Sequence, residues 1–357
     1  MRILFLYTEL ADYTLACLRA LKKQAPQADI LVVHFPVNAE APFKFDFAGV
    51  CTFICINEFK SYHELRAKVE AFAPQKIVCC GWVNKWYIRV CYEMRRKARC
   101  IMALDNHWHN TPKQQLLRVV SRVFLKKVFT HLWVPGEPQV HYGKKLGYKE
   151  RNIITGFYCC DLDRFNNLYH TWQPRKVHQF PRRFLCVARY IPQKNYNLLW
   201  RAFIAWQSQQ ANNWELWCAG TGELFDQRIE HPAIRHLGFV QKDEWEEVIG
   251  ATGIFILPSL SEPWAVAVHE FAAAGFPLLL SNRVGAATRF LSPDNGFSFD
   301  PTSEADLVKC FEAVGKLTND ELNRMGAASN AMAQSITPAK WTAALLQVAA
   351  DGAPLSN

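Results

Sequence analysis

Short apolar runs separated by longer helix-like segments set the rhythm of this chain, and the series runs once, stops and starts again. The first series reads RILFLY, a helix-like 13–24, DILVVHF, TFICI, a helix-like 60–72, KIVCC, a helix-like 84–97, CIMAL and HLWVP. Apolar runs without polar alternation, each followed by a segment of helical period, are the signature of a parallel sheet covered on both faces. The second series reads RRFLCVARY, NYNLLWRAFIAWQSQ, WELWCAG, IRHLGF, DEWEEVIGAT, GIFILPS and PLLLSN. Between the two, FYCCDLDRFNNLYHTWQPRKVHQFPRR is polar and proline-bearing, which predicts a linker. At 357 residues the chain is longer than one hydrophobic core usually supports. The expected fold is therefore α/β, two Rossmann-like doubly wound domains facing a cleft, with ligands at the carboxyl ends of the strands. The expected division is 1–165, 166–336 and a C-terminal helix within 337–357 that crosses back to the first domain. Thr337 followed by Pro338 starts that helix, and Thr318 with Glu321 forms a capping box ahead of another.

Charge separates the halves. Residues 1–165 carry 25 Lys and Arg against 14 Asp and Glu, a balance of +11, while 166–357 carry 16 against 18, a balance of −2. The first half thus points to an anionic partner: a membrane surface, nucleic acid or a phosphorylated acceptor. Twelve cysteines include the adjacent pairs Cys79-Cys80 and Cys159-Cys160 and no C-x-x-C, which favours buried thiols in a reducing compartment over a disulfide framework. The apolar stretch before Glu9 is too short for a signal peptide, and no run approaches the ~20 apolar residues of a spanning helix. The expected location is the cytoplasm, with peripheral attachment at the inner face of the membrane open.

The stretch SEPWAVAVHEFAAAGFPLLLSN holds two glutamates, Glu262 and Glu270, around an uncharged segment. Pro263 suits a first helical turn and Gly275 a C′ position before Pro277, so a helix is expected over about 263–274. On that helix the two carboxylates lie roughly 12 Å apart along the axis, and the free N–H groups at its mouth form an anion site. One elongated ligand, a nucleotide sugar, would offer hydroxyls at both ends to the carboxylates and a diphosphate to the N–H groups. Arg189 at the end of a strand and Lys194 before the next helix supply cations for the same diphosphate. The plainer alternative makes Glu262 a helix-start carboxylate and Glu270 a solvated residue.

The ordered segments VARYIPQKNYNLLWRAF, WELWCAGTGEL, IRHLGFVQKDEW, GIFILPSLSEPWAVAVHEFAAAGFPLLLSNRVGA and NGFSFDPTSEADL resemble retaining glycosyltransferases of family 4, which have the GT-B fold. The resemblance implies that Arg189 and Lys194 contact the donor diphosphate, that Glu262 lies by the donor sugar and that Glu270 binds ribose. It also implies that Val240 borders the base and that backbone amides at Trp264, Ala265 and Val266 hold phosphate. No cofactor or metal is required on this reading; the nucleotide diphosphate sugar is the donor substrate. The glycine-rich loop usual after the first strand is missing from LYTELADYTLACL. Where many relatives place a His-Asp pair near the reacting sugar, this chain has Asp105-Asn106-His107-Trp108-His109, with Asp105 or His107 as the catalytic contact.

Acceptor-side candidates are Gly81, Trp82 and Asn84 after the strand KIVCC, together with Asn106 and His109. His107-x-His109 lacks a third ligand at metal-site spacing, so no metal centre is expected. The segment 113–129 is a basic amphipathic helix in which Arg118, Arg122, Lys126 and Lys127 bear the charge. Its apolar stripe is expected to pack on the sheet with the cations solvated, and attachment to anionic lipid is the functional alternative. Nucleic acid is not expected, because no recognised binding module accompanies the charge.

The expected function is transfer of a sugar, with retained configuration, from a nucleotide diphosphate donor to a glycan or glycolipid acceptor, in lipopolysaccharide, polysaccharide or related assembly. The alternative is a catalytically silent nucleotide- or glycan-binding subunit at the membrane. A nicotinamide dehydrogenase lacks its G-x-G-x-x-G after a strand.

Overall fold

The computed structural model describes residues 1–36, 49–209 and 212–348. They divide into two compact units, the first made of 1–36, 49–160 and 336–348 and the second of 161–335 without 210–211.

In the first unit the strands are β1 (Arg2–Tyr7), β2 (Asp29–His34), β3 (Thr52–Cys55), β4 (Lys76–Cys80), β5 (Arg99–Ala103), β6 (His131–Trp133) and β7 (Ile153–Ile154). They form a parallel sheet in the order β3-β2-β1-β4-β5-β6-β7. Strand order reverses between β1 and β4, which is where an open α/β sheet leaves a crevice at its carboxyl edge. Helices α1 (Asp12–Gln24), α2 (Tyr62–Phe72), α3 (Lys85–Met94), α4 (Pro112–Val123), α5 (Leu125–Val128) and α6 (Glu137–Lys145) connect the strands. The continuous apolar character of β1, β4 and β5 follows from burial on both faces: Ile3, Leu4, Phe5, Ile77, Val78, Cys100 and Ile101 are all fully buried.

The second unit contains α7 (Leu162–His178), β8 (Arg183–Val187), α8 (Tyr196–Gln209), β9 (Glu215–Ala219), β10 (Ile234–Gly238), α9 (Trp245–Ala251) and β11 (Ile254–Leu257). It continues with α10 (Val266–Ala273), β12 (Leu278–Ser281), α11 (Ala287–Phe290), β13 (Gly296–Phe299), α12 (Glu304–Gly315) and α13 (Asn319–Ala333). Its parallel sheet has the order β10-β9-β8-β11-β12-β13, with the reversal between β8 and β11. An aromatic core of Phe184, Phe203, Trp206, Trp214 and Phe311 fills one face, with Phe184 stacked on Trp214 at 4.7 Å.

The chain then returns to the first unit with α14 (Pro338–Gln347), which packs on α1. Two side-chain contacts pin it. The Trp341 indole donates to the Phe157 carbonyl at 2.8 Å, and the buried Lys76 ammonium donates to the Leu345 and Leu346 carbonyls, each at 2.9 Å. A cation at the carboxyl end of a helix meets both the unpaired carbonyls and the negative end of the dipole. Burial pushes the Lys76 amine down to about 8. Residues 349–357 of the expected C-terminal segment lie outside the described residues.

Three expectations need correction. The expected linker is mostly the helix α7, capped by Asp161 and running through Pro174. Tight packing holds it: a Cβ on Gly250 would lie 2.5 Å from the Trp172 ring, and one on Gly275 would lie 2.2 Å from the Tyr169 ring. The break between units falls at Cys160/Asp161 rather than 165/166. Finally, the apolar stripe of α4 does not lie on the sheet. Its only buried side chain is Ser121, and Leu116, Val119, Val120 and Val123 are exposed.

Candidate functional site

Each reversal of strand order carries a constellation of side chains. In the second unit, the loop after β8 brings Arg189, exposed, and then Lys194 on a single 3-10 turn before α8. The loop after β11 brings Glu262. The Lys194 ammonium and the Glu262 carboxylate form an ion pair across the reversal, with side chains only 19% and 11% exposed. Two sequence-distant loops are thereby tied at the point where this sheet type opens.

Asn195 sets the position of Lys194. It adopts φ +58°, a left-handed conformation that asparagine tolerates better than most residues. From there its amide donates to the Pro258 carbonyl at 3.2 Å and the Pro301 carbonyl at 2.8 Å, linking the loops after β8, β11 and β13. Sequence reasoning passed over Asn195; the signal available was an asparagine directly before a helix.

Arg189 is framed by the glycines of AGTGEL. The Tyr190 N–H donates to the Thr221 carbonyl at 2.9 Å and the Ala188 N–H to the Ala219 carbonyl at 3.1 Å. The two loops approach so closely that a Cβ on Gly220 would stand 1.9 Å from the Ala188 carbonyl oxygen, and one on Gly222 would stand 2.7 Å from that of Tyr190. These glycines serve backbone contact rather than a dinucleotide turn.

The helix expected over 263–274 is shorter. Glu262 to Trp264 pair with the loop after β12: the Glu262 N–H donates to Arg283, Gly285 donates to the Glu262 carbonyl and Ala286 donates to that of Trp264. Helix α10 starts only at Val266, after Ala265 at φ +74°. The expected 12 Å helical separation of Glu262 and Glu270 therefore does not apply, because Glu262 stands on extended chain. Glu270 lies in the second turn of α10 and is half-buried. The Trp264 side chain is buried against Phe290, leaving the backbone of Trp264, Ala265 and Val266 at the helix start. A left-handed conformation at a non-glycine residue costs roughly 1–2 kcal/mol. Val240 follows β10, and its side chain is buried.

Next to Glu270, His269 is fully buried, stacked 4.5 Å from the Phe290 ring, and donates from Nε2 to the Ala333 carbonyl at 2.9 Å. Burial lowers its titration from the ordinary 6.5 to about 4. Between those values the unfolded chain binds a proton that the folded chain does not, so stability rises with pH through that window. Urea denaturation from pH 4 to 6.5 should show a gain of about 3 kcal/mol from this residue, and His269→Gln should flatten that part of the curve.

In the first unit a cavity of about 580 Å³ opens at the β1/β4 reversal. Its walls are Tyr7, Glu9 and Tyr13 from the β1–α1 segment, Gly81, Trp82 and Asn84 after β4, Asp105 and Asn106 after β5, and Tyr158. The Tyr158 hydroxyl donates to Asp105 Oδ2 at 2.9 Å, and the Gln139 amide donates to the Asp105 carbonyl at 2.9 Å. Burial and the neighbouring Asp105 hold the Tyr158 hydroxyl well above its ordinary range. It therefore stays protonated at neutral pH and serves as a hydrogen-bond donor. Asn84 also caps α3, accepting the Tyr87 N–H at 3.0 Å.

The Asp105 to His109 cluster divides. Asp105 and Asn106 line the cavity, whereas His107 and His109 do not. Their rings sit 6.0 Å apart beside α4, and Trp108 packs on Tyr142. No group of three or more His, Cys, Asp and Glu placed to hold a metal occurs among the described residues. Sequence reasoning missed Tyr7, Glu9, Tyr13 and Tyr158 as cavity residues.

Two Rossmann-like units, each a parallel sheet with alternating helices, constitute the GT-B fold. Solved structures agree over nearly the whole chain. The Anabaena protein Alr3699/HepE in complex with UDP-glucose aligns with TM-score 0.71 at 16% identity, covering 98% of this chain and all of that one. Sucrose-phosphate synthase from Thermosynechococcus elongatus aligns with TM-score 0.70 at 14% identity, covering 97% of each chain. A glycosyltransferase from Rickettsia africae ESF-5 aligns with TM-score 0.68 at 11% identity, covering 95% of each. Residues 172–332, which fall within the second unit, match the family model described as Glycosyl transferases group 1. No curated protein sequence matches the chain.

Proposed function

We propose that this chain transfers a glycosyl group from a nucleoside diphosphate sugar bound by the second unit to an acceptor hydroxyl bound in the cavity of the first. The observation that carries the reading is the Lys194–Glu262 pair across the β8/β11 reversal, with Arg189 and the start of α10 on neighbouring segments. Arg189, Lys194 and the backbone N–H groups from Trp264 to Val266 would stabilise the charge that develops on the departing diphosphate. Glu262 would orient Lys194 and meet the donor sugar, Glu270 would accept from ribose hydroxyls, and Val240 would border the base. HepE was solved with UDP-glucose, which supports a uridine diphosphate sugar as the first donor to try.

Retention of configuration is part of the proposal and rests on the family resemblance. The lining of the cavity supports one acceptor chemistry over another. Among the described residues lining it are aromatic rings and the carboxylates of Glu9 and Asp105, with no Lys or Arg. Aromatic faces and carboxylates suit a neutral, hydroxyl-bearing acceptor, not the phosphorylated one that the charge of the first half suggested. Asp105, with Tyr158, would contact the acceptor hydroxyl. A role in glycan or lipopolysaccharide assembly rests on the resemblance alone.

A silent nucleotide-binding subunit is the second reading, favoured by the prior engagement of Lys194. Thermal shift with uridine, guanosine, adenosine and cytidine diphosphates and their sugars, followed by turnover with the one that binds, separates the two. The transferase reading expects one selective shift and turnover. A ligand at 100-fold over its Kd adds about 2.7 kcal/mol to stability. Glu270→Ala should weaken the selected nucleotide about tenfold, equivalent to the ~1.4 kcal/mol of one or two hydroxyl hydrogen bonds. Unchanged nucleotide affinity in that variant would remove Glu270 from the ribose role.

A further inference from the structure

Helix α4 presents its apolar stripe outward. Leu116, Val119, Val120 and Val123 recur at helical i, i+3, i+4, i+7 spacing and are 66%, 66%, 45% and 62% exposed. Phe124, at the end of the helix, is 42% exposed and stacks on the exposed Tyr92 at 6.3 Å. A helix built to complete a domain core turns such a stripe inward, and here the one buried side chain is Ser121, whose hydroxyl donates to the Leu146 carbonyl at 3.0 Å. No described residue covers the stripe.

Its surroundings are cationic. Lys113, Arg122, Lys126 and Lys127 are exposed on α4 and α5, and Arg96 and Lys97 are exposed just past α3. Residues 106–136 contain no Asp or Glu. An apolar stripe flanked by cations and free of acids matches a surface with an anionic rim over an apolar interior. We propose that α4 docks this protein on an anionic lipid bilayer, its valines, Leu116 and Phe124 entering the headgroup boundary and its cations meeting lipid phosphates. A second copy is a poorer occupant, because a two-fold contact would set the same cations against each other. Attachment is peripheral: no helix among the described residues is long and apolar enough to cross a membrane.

The helix is wired to the cavity. Gln114, in its first turn, donates to the His107 carbonyl and accepts from the His109 N–H, both at 2.7 Å. The segment it clamps begins immediately after Asp105 and Asn106. If the acceptor cavity is read as in the preceding section, and only then, docking makes a lipid-anchored acceptor the natural one.

Co-sedimentation of the full chain with phosphatidylcholine vesicles, with and without about 30 mol % phosphatidylglycerol, tests the docking without any enzymatic step. Binding should be at least about tenfold stronger to the anionic vesicles and should weaken with added salt. The triple variant Leu116→Ser, Val119→Ser, Val123→Ser should lose most of that binding while keeping its melting temperature, since those side chains are solvent-facing. The variant Lys113→Gln, Arg122→Gln, Lys126→Gln, Lys127→Gln should lose the preference for phosphatidylglycerol. No preference in the parent protein, or a triple variant that binds as well as the parent, overturns the proposal. So does a vesicle-free dimer that the serine variant converts to monomer, which would assign the stripe to a second copy. Nucleotide thermal shift reports the other unit, so its absence with intact vesicle binding would fault the transferase reading and leave the docking standing.

Discussion

Lys194→Ala is expected to reduce the transfer rate by about 10² to 10³-fold, the usual loss when one group stabilising a developing anion is removed from a preorganised site. The pairing with Glu262 makes the prediction sharper than a simple loss. Removing the lysine leaves a carboxylate, 11% exposed, where the proposed function seats a diphosphate, so nucleotide affinity should fall together with turnover. Glu262→Gln leaves Lys194 with no anionic partner from that residue. Nucleoside diphosphate should then bind more tightly than to the parent, while transfer still slows because the donor sugar loses the contact proposed for Glu262. Calorimetric titration and initial rates on both variants check this opposition. If both changes weaken the nucleotide equally, the pair is a structural tie and not the diphosphate's electrostatic seat.

Gly220→Ala should be among the most damaging substitutions a single methyl group makes in this chain. The new Cβ would fall 1.9 Å from the Ala188 carbonyl oxygen, at a residue whose φ is +137°. Neither loop yields readily, because Ala188 and Tyr190 on one side and Ala219 and Thr221 on the other are hydrogen bonded to each other. A cost of about 3 kcal/mol or more is expected from overpacking and backbone strain together, read as a lower urea midpoint at unchanged slope. Gly238 is the control. Its φ is +70° with nothing within 4 Å of a Cβ, so Gly238→Ala should cost only the left-handed penalty of roughly 1–2 kcal/mol. Below its melting temperature the Gly220 variant should also bind nucleotide less well, since the displaced segment carries Arg189, to which the proposed function gives a diphosphate contact.

How far the sequence could be read follows from the range of the forces involved. Both sheets were legible because parallel strands buried on two faces have to be continuously apolar, as in KIVCC and GIFILPS. Helix α7 was not, because Pro174 and an irregular apolar pattern argue against a helix locally, and the contacts of Tyr169 and Trp172 with Gly275 and Gly250 are made far along the chain. The shortened start of α10 has the same origin: the partner of Glu262 to Trp264 is the loop after β12. Amphipathicity gave the correct shared face of α4, but which face is covered depends on what packs there. The cavity's tyrosines were hidden for a further reason. Tyr7 ends a strand and Tyr158 follows one, so each reads as ordinary packing until the ends of β1, β4 and β5 are brought together.

The return of α14 to the first unit bears on how the protein is made. Trp341 fixes Phe157, the neighbour of Tyr158 in the cavity wall, and Leu345 and Leu346 satisfy the buried ammonium of Lys76 in β4. Those partners emerge from a ribosome only after the entire second unit has been translated. The unit that begins the chain is consequently the one that finishes folding later, reversing the usual amino-to-carboxyl order of domain maturation. Until then the Lys76 ammonium, at the start of the central strand β4, lacks its carbonyl acceptors and has to remain hydrated, and the nascent chain would hold a formed second unit together with a first unit whose cavity wall is not yet anchored.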